Sequence, residues 1–273
     1  MIEEKAHAKI NLALDVVRKR KDGFHELKMI MIPVELHDVL RFETHESVFL
    51  ESNIEIENNA ILKATNLMQK TFGIKQGAKI TLIKNIPIGA GLGGGSADIA
   101  ATIRGLNRLW QLNLEMDALE EIAISLGSDT LFCLYERPAF VYGRGEKMLF
   151  IERPPIKDIY VFPHQQSVST KAVFKAHKVT HQAKRFDRLF RLYLNEKYTM
   201  FFKSTYNDLA KTTFRVYPEI KKHYKSIRKI DSGAFMSGSG SSMYLLSFSK
   251  NIDEMAKKIE KCEILNFKTK PKS

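Results

Sequence analysis

The stretch Asn85-Ile-Pro-Ile-Gly-Ala-Gly-Leu-Gly-Gly-Gly-Ser96 packs five glycines (Gly89, Gly91, Gly93, Gly94 and Gly95) into seven positions. An alternating apolar run, Ile80 to Ile86, precedes it, and Ile99, Ile103, Leu106 and Trp110 follow at helical spacing. Strand, glycine loop and helix start together predict an anion site, usually for phosphate. Glycine lets the main chain close on a ligand, and the first helical turn offers unpaired N–H groups with partial positive charge. Ser96 reads as the N-cap of that helix. The competing reading is a tight turn whose glycines only permit close packing. A second small-residue loop, Phe235-Met-Ser-Gly-Ser-Gly-Ser-Ser-Met243, joins two strand-like runs and offers another nest of N–H groups.

The first loop does not fit the common nucleotide folds. The Walker pattern is absent. Gly89-Ala-Gly91-Leu-Gly93-Gly94 satisfies G-x-G-x-x-G, but the segment after the next loop, Asp117 to Leu126, reads as a helix rather than a strand ending in an acid. No H-R-D or D-F-G follows, which excludes a protein kinase.

The elements that must position these groups can be read in outline. Ala6 to Val17 alternates as a strand, with Ala8, Ile10, Leu12, Leu14 and Val16 on one face and Lys9 and Asn11 on the other, one pleat apart. A strand lysine is ordinarily solvent-facing. Asp22-Gly23 predicts a hairpin turn, beside Phe24 and His25. Residues 29 to 56 read as further short strands, and the run Glu57-Asn-Asn-Ala-Ile-Leu-Lys as the start of an Asn-capped helix. Gly127 ends one helix and Ser128 or Asp129 caps the next. Ser167 to Phe174 reads as a cap and helix, with Thr170 and Phe174 on one face.

Pro154-Pro155 is the best linker, giving an expected N-terminal domain 1–152 and C-terminal domain 153–273. The tail, Lys268 to Ser273, is expected to be disordered. Residues 1–150 hold 18 lysines and arginines against 20 acids, and residues 151–273 hold 25 against 11. The basic half suits a polyphosphate ligand, nucleic acid, an anionic surface or simply a solvated face. No apolar run reaches the ~18 residues of a membrane span. No signal segment is read at the N-terminus. The two distant cysteines, Cys133 and Cys262, have no metal spacing and suit a reducing, cytoplasmic setting.

Several motifs together resemble the GHMP kinases, which phosphorylate small alcohols with ATP. Lys9-Ile-Asn-Leu12 resembles the opening A-K-I-N-L of one branch, and Asp22-Gly-Phe-His-Glu-Leu27 its D-G-Y-H-E-L, with Phe24 where tyrosine is typical. Pro87 to Ala97 resembles the second family motif, Tyr142-Gly-Arg-Gly-Glu146 the G-R-G-E turn, Asn207-Asp-Leu209 the N-D-L-E segment, and Met236-Ser-Gly-Ser-Gly240 the third motif. Leu126-Gly-Ser-Asp resembles the loop of the catalytic aspartate, departing from it at Ser128, Thr130 and Leu131.

The resemblance implies a two-domain α/β (α+β) fold with the active site in the inter-domain cleft. It implies transfer of the ATP γ-phosphoryl group, with Mg²⁺, to the tertiary 2-hydroxyl of a cytidine-diphospho-linked methyl polyol in isoprenoid synthesis. Asp129 would be the base and Lys9 the cation beside it. ATP would be held by Pro87, Gly89, Gly91, Leu92, Gly93, Gly94, Gly95 and Ser96, with Asn59 by the adenine and Ser96 reaching the metal. The substrate side would comprise Asn11, Phe24, His25, Thr170, Phe174, Ser237 and Gly238, with Phe24 and Phe174 sandwiching the base. The expected partner is this small molecule, with no nucleic acid or membrane, for a cytoplasmic monomer or homodimer. A GHMP kinase for a different alcohol is the near alternative, and a nucleic-acid-binding protein the distant one.

Overall fold

Two long strands joined by a tight hairpin begin the chain. In the computed structural model, which describes residues 1–56, 59–179, 183–248 and 251–273, β1 spans Ile2–Lys19 and β2 spans His25–His45. Between them Gly23 sits at φ +85°, Arg20 N–H donates to Phe24 O at 2.8 Å, and Asp22 Oδ1 accepts from the Phe24 N–H at 3.1 Å. The short strands expected over 29–56 are instead the rest of β2 and β3 (Val48–Ser52), because β2 keeps burying apolar residues as far as Leu40 and Phe42. Glu57 and Asn58, in the run read as opening the first helix, lie outside the described residues.

The remaining elements are α1 (Ala60–Phe72), β4 (Gly77–Ile83), α2 (Gly94–Leu109), α3 (Met116–Leu126), α4 (Thr130–Tyr135), β5 (Ala139–Gly143) and β6 (Lys147–Phe150). After them come β7 (Asp158–Phe162), α5 (Thr170–Ala176), α6 (Ala183–Leu194), α7 (Tyr198–Ser204), α8 (Leu209–Val216) and α9 (Pro218–Ile230). The chain closes with β8 (Phe235–Met236), β9 (Met243–Ser247), α10 (Ile252–Glu260) and β10 (Phe267–Thr269).

The chain packs as two compact units that interleave in sequence. The first holds Met1–Lys9, Leu36–Ile88 and Gly93–Glu136, and the second Ile10–Glu35, Gly89–Leu92 and Arg137–Ser273. The expected boundary at 152/153 follows chain order, whereas these units follow packing.

In the first unit β4 runs antiparallel to β2, from Val39 opposite Ile83 to His45 opposite Gly77, and parallel to β3. Helix α2 lies so close to this sheet that a Cβ on Gly105 would stand 2.3 Å from the Phe42 ring, an approach only glycine permits. Helices α1, α3 and α4 pack against α2. Phe42, Ile80, Leu82, Ile103, Leu106 and Phe132 are buried here, each worth ~1.5–3 kcal/mol.

In the second unit β5 runs antiparallel to β2, with Leu27 opposite Gly143, and to β6. Phe140 of β5 meets Phe186, Phe190 and Tyr193 of α6 edge-on, at centroid distances of 6.4, 4.3 and 5.5 Å. A separate antiparallel sheet runs β10-β7-β9-β8. Two expectations are corrected here. The tail is ordered. Phe267–Thr269 pairs with β7, Lys268 meets Asp158 at 3.1 Å, and Lys272 N–H donates to Pro33 O at 3.0 Å, so the edge of β7 has main-chain partners and a buried carboxylate for it. Pro154 is buried within this unit and Pro155 is exposed, so the proline pair is anchored on one side and is not a free linker.

Candidate functional site

In the first unit the strand lysine is not solvent-facing. Lys9 is 4% exposed, and its Nζ lies 3.3 Å from Asp129 Oδ2. Asp129 stands at the N-cap of α4, yet its side chain makes no capping bond, so the carboxylate is left to face Lys9. It is also open to solvent: its side chain is 31% exposed against 5% for that of Lys9. A buried cation beside an accessible carboxylate suits proton acceptance from an alcohol with charge stabilisation beside it. The departures from the family loop are absorbed by packing: Thr130 and Leu131 are buried, and α4 starts directly after the aspartate.

The first-unit part of the glycine loop, Gly93 to Ser96, sits at the start of α2. Gly93, at φ +75°, is the N-cap, so Ser96 is the third residue of the helix and not its cap. The left-handed conformation at Gly93 turns the chain into the helix three residues earlier than Ser96 capping requires. A Cβ on Gly93 would stand 2.8 Å from Lys9 Cγ, and one on Gly94 3.1 Å from Lys84 Nζ. At Gly95 nothing among the described residues lies within 4 Å of a Cβ built there. The open space at the helix N-terminus is therefore at Gly95. Ser96 Oγ lies near the Gly127 turn, where a Cβ would come within 4.0 Å of it and 2.8 Å of Thr130 Oγ1.

A buried cluster missed by the sequence reading supports this turn. Lys84 Nζ meets Asp38 Oδ2 and Asp98 Oδ2 at 2.5 Å each, and Asp38 Oδ1 accepts from the N–H groups of Asn85 and Ile86. Burial, opposed chiefly by Lys84, pushes the Asp98 carboxyl up to about 7. Asp38 is 46 residues from Lys84, and nothing local in the sequence joins them. Asn59 caps α1, its Oδ1 accepting from Ile61 N–H at 3.0 Å, which leaves its amide nitrogen and a second lone pair on that oxygen for a ligand. Pro87 is half-buried.

In the second unit Gly89 and Gly91 are closely packed and their carbonyls are engaged. Gly89 O accepts from Val168 N–H, Ala90 O from Ser242 N–H, and Gly91 O from Ser237 Oγ. A Cβ on Gly91 would lie 2.3 Å from Ser237 O, and Leu92 is 1% exposed, so its side chain belongs to the core. Ser237 and Gly238 belong to the second small-residue loop, whose carbonyls at Met236 and Gly238 are held by Asn207 Nδ2 at 2.9 and 2.7 Å. Thr170 Oγ1 lies 2.8 Å from Ser239 Oγ, and Ser169, not Ser167, caps α5.

The aromatic wall differs from expectation. Phe174 packs on His25, centroids 5.1 Å apart, while Phe24 lies under the Arg144 guanidinium at 3.6 Å. Burial, then Lys19, lowers the His25 pKa from its usual value, which favours the neutral ring. Asn11 is 3% exposed, its Nδ2 donating to Met29 Sδ at 3.4 Å.

Family models match at both ends of this arrangement, "GHMP kinases N terminal domain" over residues 59–137 and "GHMP kinases C terminal" over 189–262. The 4-diphosphocytidyl-2-C-methyl-D-erythritol kinase of Bacillus cereus (strain B4264) is 39% identical over 254 residues, covering 88% of this chain and 86% of that protein. The chain belongs to the GHMP kinase family. A crystal structure of 4-(cytidine 5'-diphospho)-2C-methyl-D-erythritol kinase superposes with a TM-score of 0.76 at 28% identity, covering 99% of this chain and 100% of that one. The mevalonate kinase of Methanococcus jannaschii, 14% identical with a TM-score of 0.74, covers 100% of this chain and 98% of that one and shares the fold. This GHMP kinase has, among its described residues, no helix long and apolar enough to cross a membrane, and no cluster of three or more His, Cys, Asp or Glu placed to hold a metal.

Proposed function

We propose that this GHMP kinase transfers the γ-phosphoryl group of ATP to the tertiary hydroxyl of a cytidine-diphospho-linked methylerythritol, the substrate in the names of its relatives. The observation that carries the chemistry is the 3.3 Å approach of Lys9 Nζ to Asp129 Oδ2. Asp129 accepts the hydroxyl proton as the oxygen attacks, and Lys9 stabilises the alkoxide charge that develops. The first turn of α2 receives polyphosphate at Gly95, and Asn59 lies by the adenine.

The residues present suit Mg²⁺. The ion takes oxygen ligands and is usually shared between phosphates and one or two carboxylates rather than caged by protein alone. Ser96 and Thr130, whose buried Oγ1 has no hydrogen-bond partner among the described residues, would supply such oxygens, with Asp129 kept for the proton. When bound, the ion neutralises charge on the β- and γ-phosphates.

On the second unit Phe24, His25 and Phe174 hold the cytosine, with Asn11, Thr170, Ser237 and Gly238 on the remaining substrate. His25 and Phe174 at 5.1 Å leave no gap for a base; stacked rings need ~3.5 Å on each side. The base therefore stacks on an outer face of that pair. The basic surplus serves a diphosphate rather than nucleic acid, residues 1–152 form the N-terminal ATP-binding domain, which also carries Asn11, Phe24 and His25 to the substrate, residues 153–273 form the C-terminal domain, and the chain works in the cytoplasm as a monomer or homodimer. The test is ADP release, by a coupled assay, across the cytidine-diphospho polyol, mevalonate and homoserine. Turnover confined to the first supports the proposal, and preference for another alcohol overturns it.

A further inference from the structure

The G-R-G-E turn has no part in the reading above, yet its arginine is held in an unusual way. Arg144 lies between Gly143 (φ +73°) and Gly145 (φ +124°), conformations that L side chains rarely adopt, in the hairpin joining β5 to β6. Its guanidinium carbon stands 3.6 Å from the centroid of the Phe24 ring, which is van der Waals contact over one whole face. The β2–β5 register explains the meeting: Leu27 lies opposite Gly143, so one step further brings Arg144 across from Glu26, diagonal to Phe24.

The carboxylates nearby are engaged elsewhere. Glu26 pairs with Arg20 at 3.0 Å and Arg18 at 3.6 Å, Asp22 pairs with Arg20 at 3.0 Å, and Glu146 accepts from the Arg144 main-chain N–H. Arg144 Nε is buried without a hydrogen-bond partner among the described residues. The guanidinium is thus stacked on the ring, close enough to Asp22 to help lower that carboxyl's pKa but without an ion pair among the described residues.

Phe24 needs such a partner. The ring is 47% exposed at the end of a hairpin, although its backbone is fixed at both N–H and carbonyl. An exposed phenylalanine otherwise samples several rotamers and offers a ligand either face.

We infer that Arg144 is a positioning residue for the nucleobase, clamping Phe24 so that the ring presents its uncovered face to the cytosine of the substrate. This rests on the reading of Phe24 as a base-stacking surface. Arg144 acts through the ring and makes no contact with the phosphates, so its contribution is the same for cytidine, CMP and CDP.

The experiment is calorimetric titration of the full chain with those three ligands, for wild type, Arg144→Gln, Phe24→Ala and the double variant, with melting curves as a check on folding. Arg144→Gln should weaken all three ligands equally, by about fivefold, and leave the KM for ATP unchanged. In the Phe24→Ala background the same change should have no further effect. A loss that grows with phosphate number, an equal loss in the Phe24→Ala background, or unchanged cytidine binding would each overturn the inference while leaving the substrate reading intact. Wild-type protein that binds none of the three would overturn both.

Discussion

Gly93 and Gly95 lie two residues apart in one loop, but the structure predicts opposite consequences for adding a methyl group to each. At Gly93 the backbone is left-handed, φ +75°, and the new Cβ would meet Lys9 Cγ at 2.8 Å and Lys9 Cε at 3.0 Å. The conformation alone costs an L-residue about 1–2 kcal/mol. The lysine must also yield, and it is the partner of Asp129 at 3.3 Å. A displacement of ~1 Å in reacting groups costs about 100-fold in rate. Gly93→Ala should therefore lower kcat by 10- to 100-fold and lower Tm by ~2–8 °C. At Gly95 nothing among the described residues lies within 4 Å of a Cβ built there, and the residue is helical. Gly95→Ala should stabilise the fold by ~0.5–1 kcal/mol, while its methyl group would stand where the proposal puts the polyphosphate, so the KM for ATP should rise. Steady-state kinetics with varied ATP, paired with thermal melting, separates the two. An unchanged KM in Gly95→Ala would show that α2 does not carry the phosphates, and an unchanged kcat in Gly93→Ala would break the link from loop to Lys9.

Three further outcomes follow from other parts of the structure. Phe174→Ala should weaken CDP binding by ~1–3 kcal/mol, the value of a lost stacking partner, with ATP kinetics unchanged; calorimetry checks both. Lys84→Met leaves Asp38 and Asp98 buried without their cation and should cost ~3–5 kcal/mol in denaturant unfolding. Burial and the adjoining Asp208 raise the Asp15 carboxyl from 3.8 to about 6. The folded chain then holds that proton more tightly than the unfolded chain, so stability falls as pH rises from 3.8 to about 6. Asp15→Asn should remove this slope and raise Tm at pH 8, with little change below pH 4, as melting across pH will show.

What could be read in the sequence was whatever is local. The Asp22-Gly23 hairpin, the strand of Lys9, the Asn59 cap and the glycine loop leading into α2 all follow from short-range pattern, and the family motifs follow from residue order. The junction at Asp129 was legible as a junction. Its meeting with Lys9 was expected only through the resemblance, because 120 residues separate them. The position of the cap was misread because a left-handed glycine starts the helix where a serine was expected to. Three features depend on partners far along the chain and left no local trace. These are the Lys84 cluster, the Asn207 grip on the second loop, and the pairing of the lysine-rich tail with β7. Composition alone made that tail look unstructured, since it registers charge and not the strand edge waiting for it.

The account turns on Asp129 as the group that accepts the hydroxyl proton. The direct measurement is kcat for Asp129→Asn with ATP and the cytidine-diphospho polyol, on protein shown by melting to be folded. General-base help is worth about 10²–10⁴-fold, so kcat should fall by that much with the KM for ATP nearly unchanged. Turnover at the wild-type rate would contradict the mechanism.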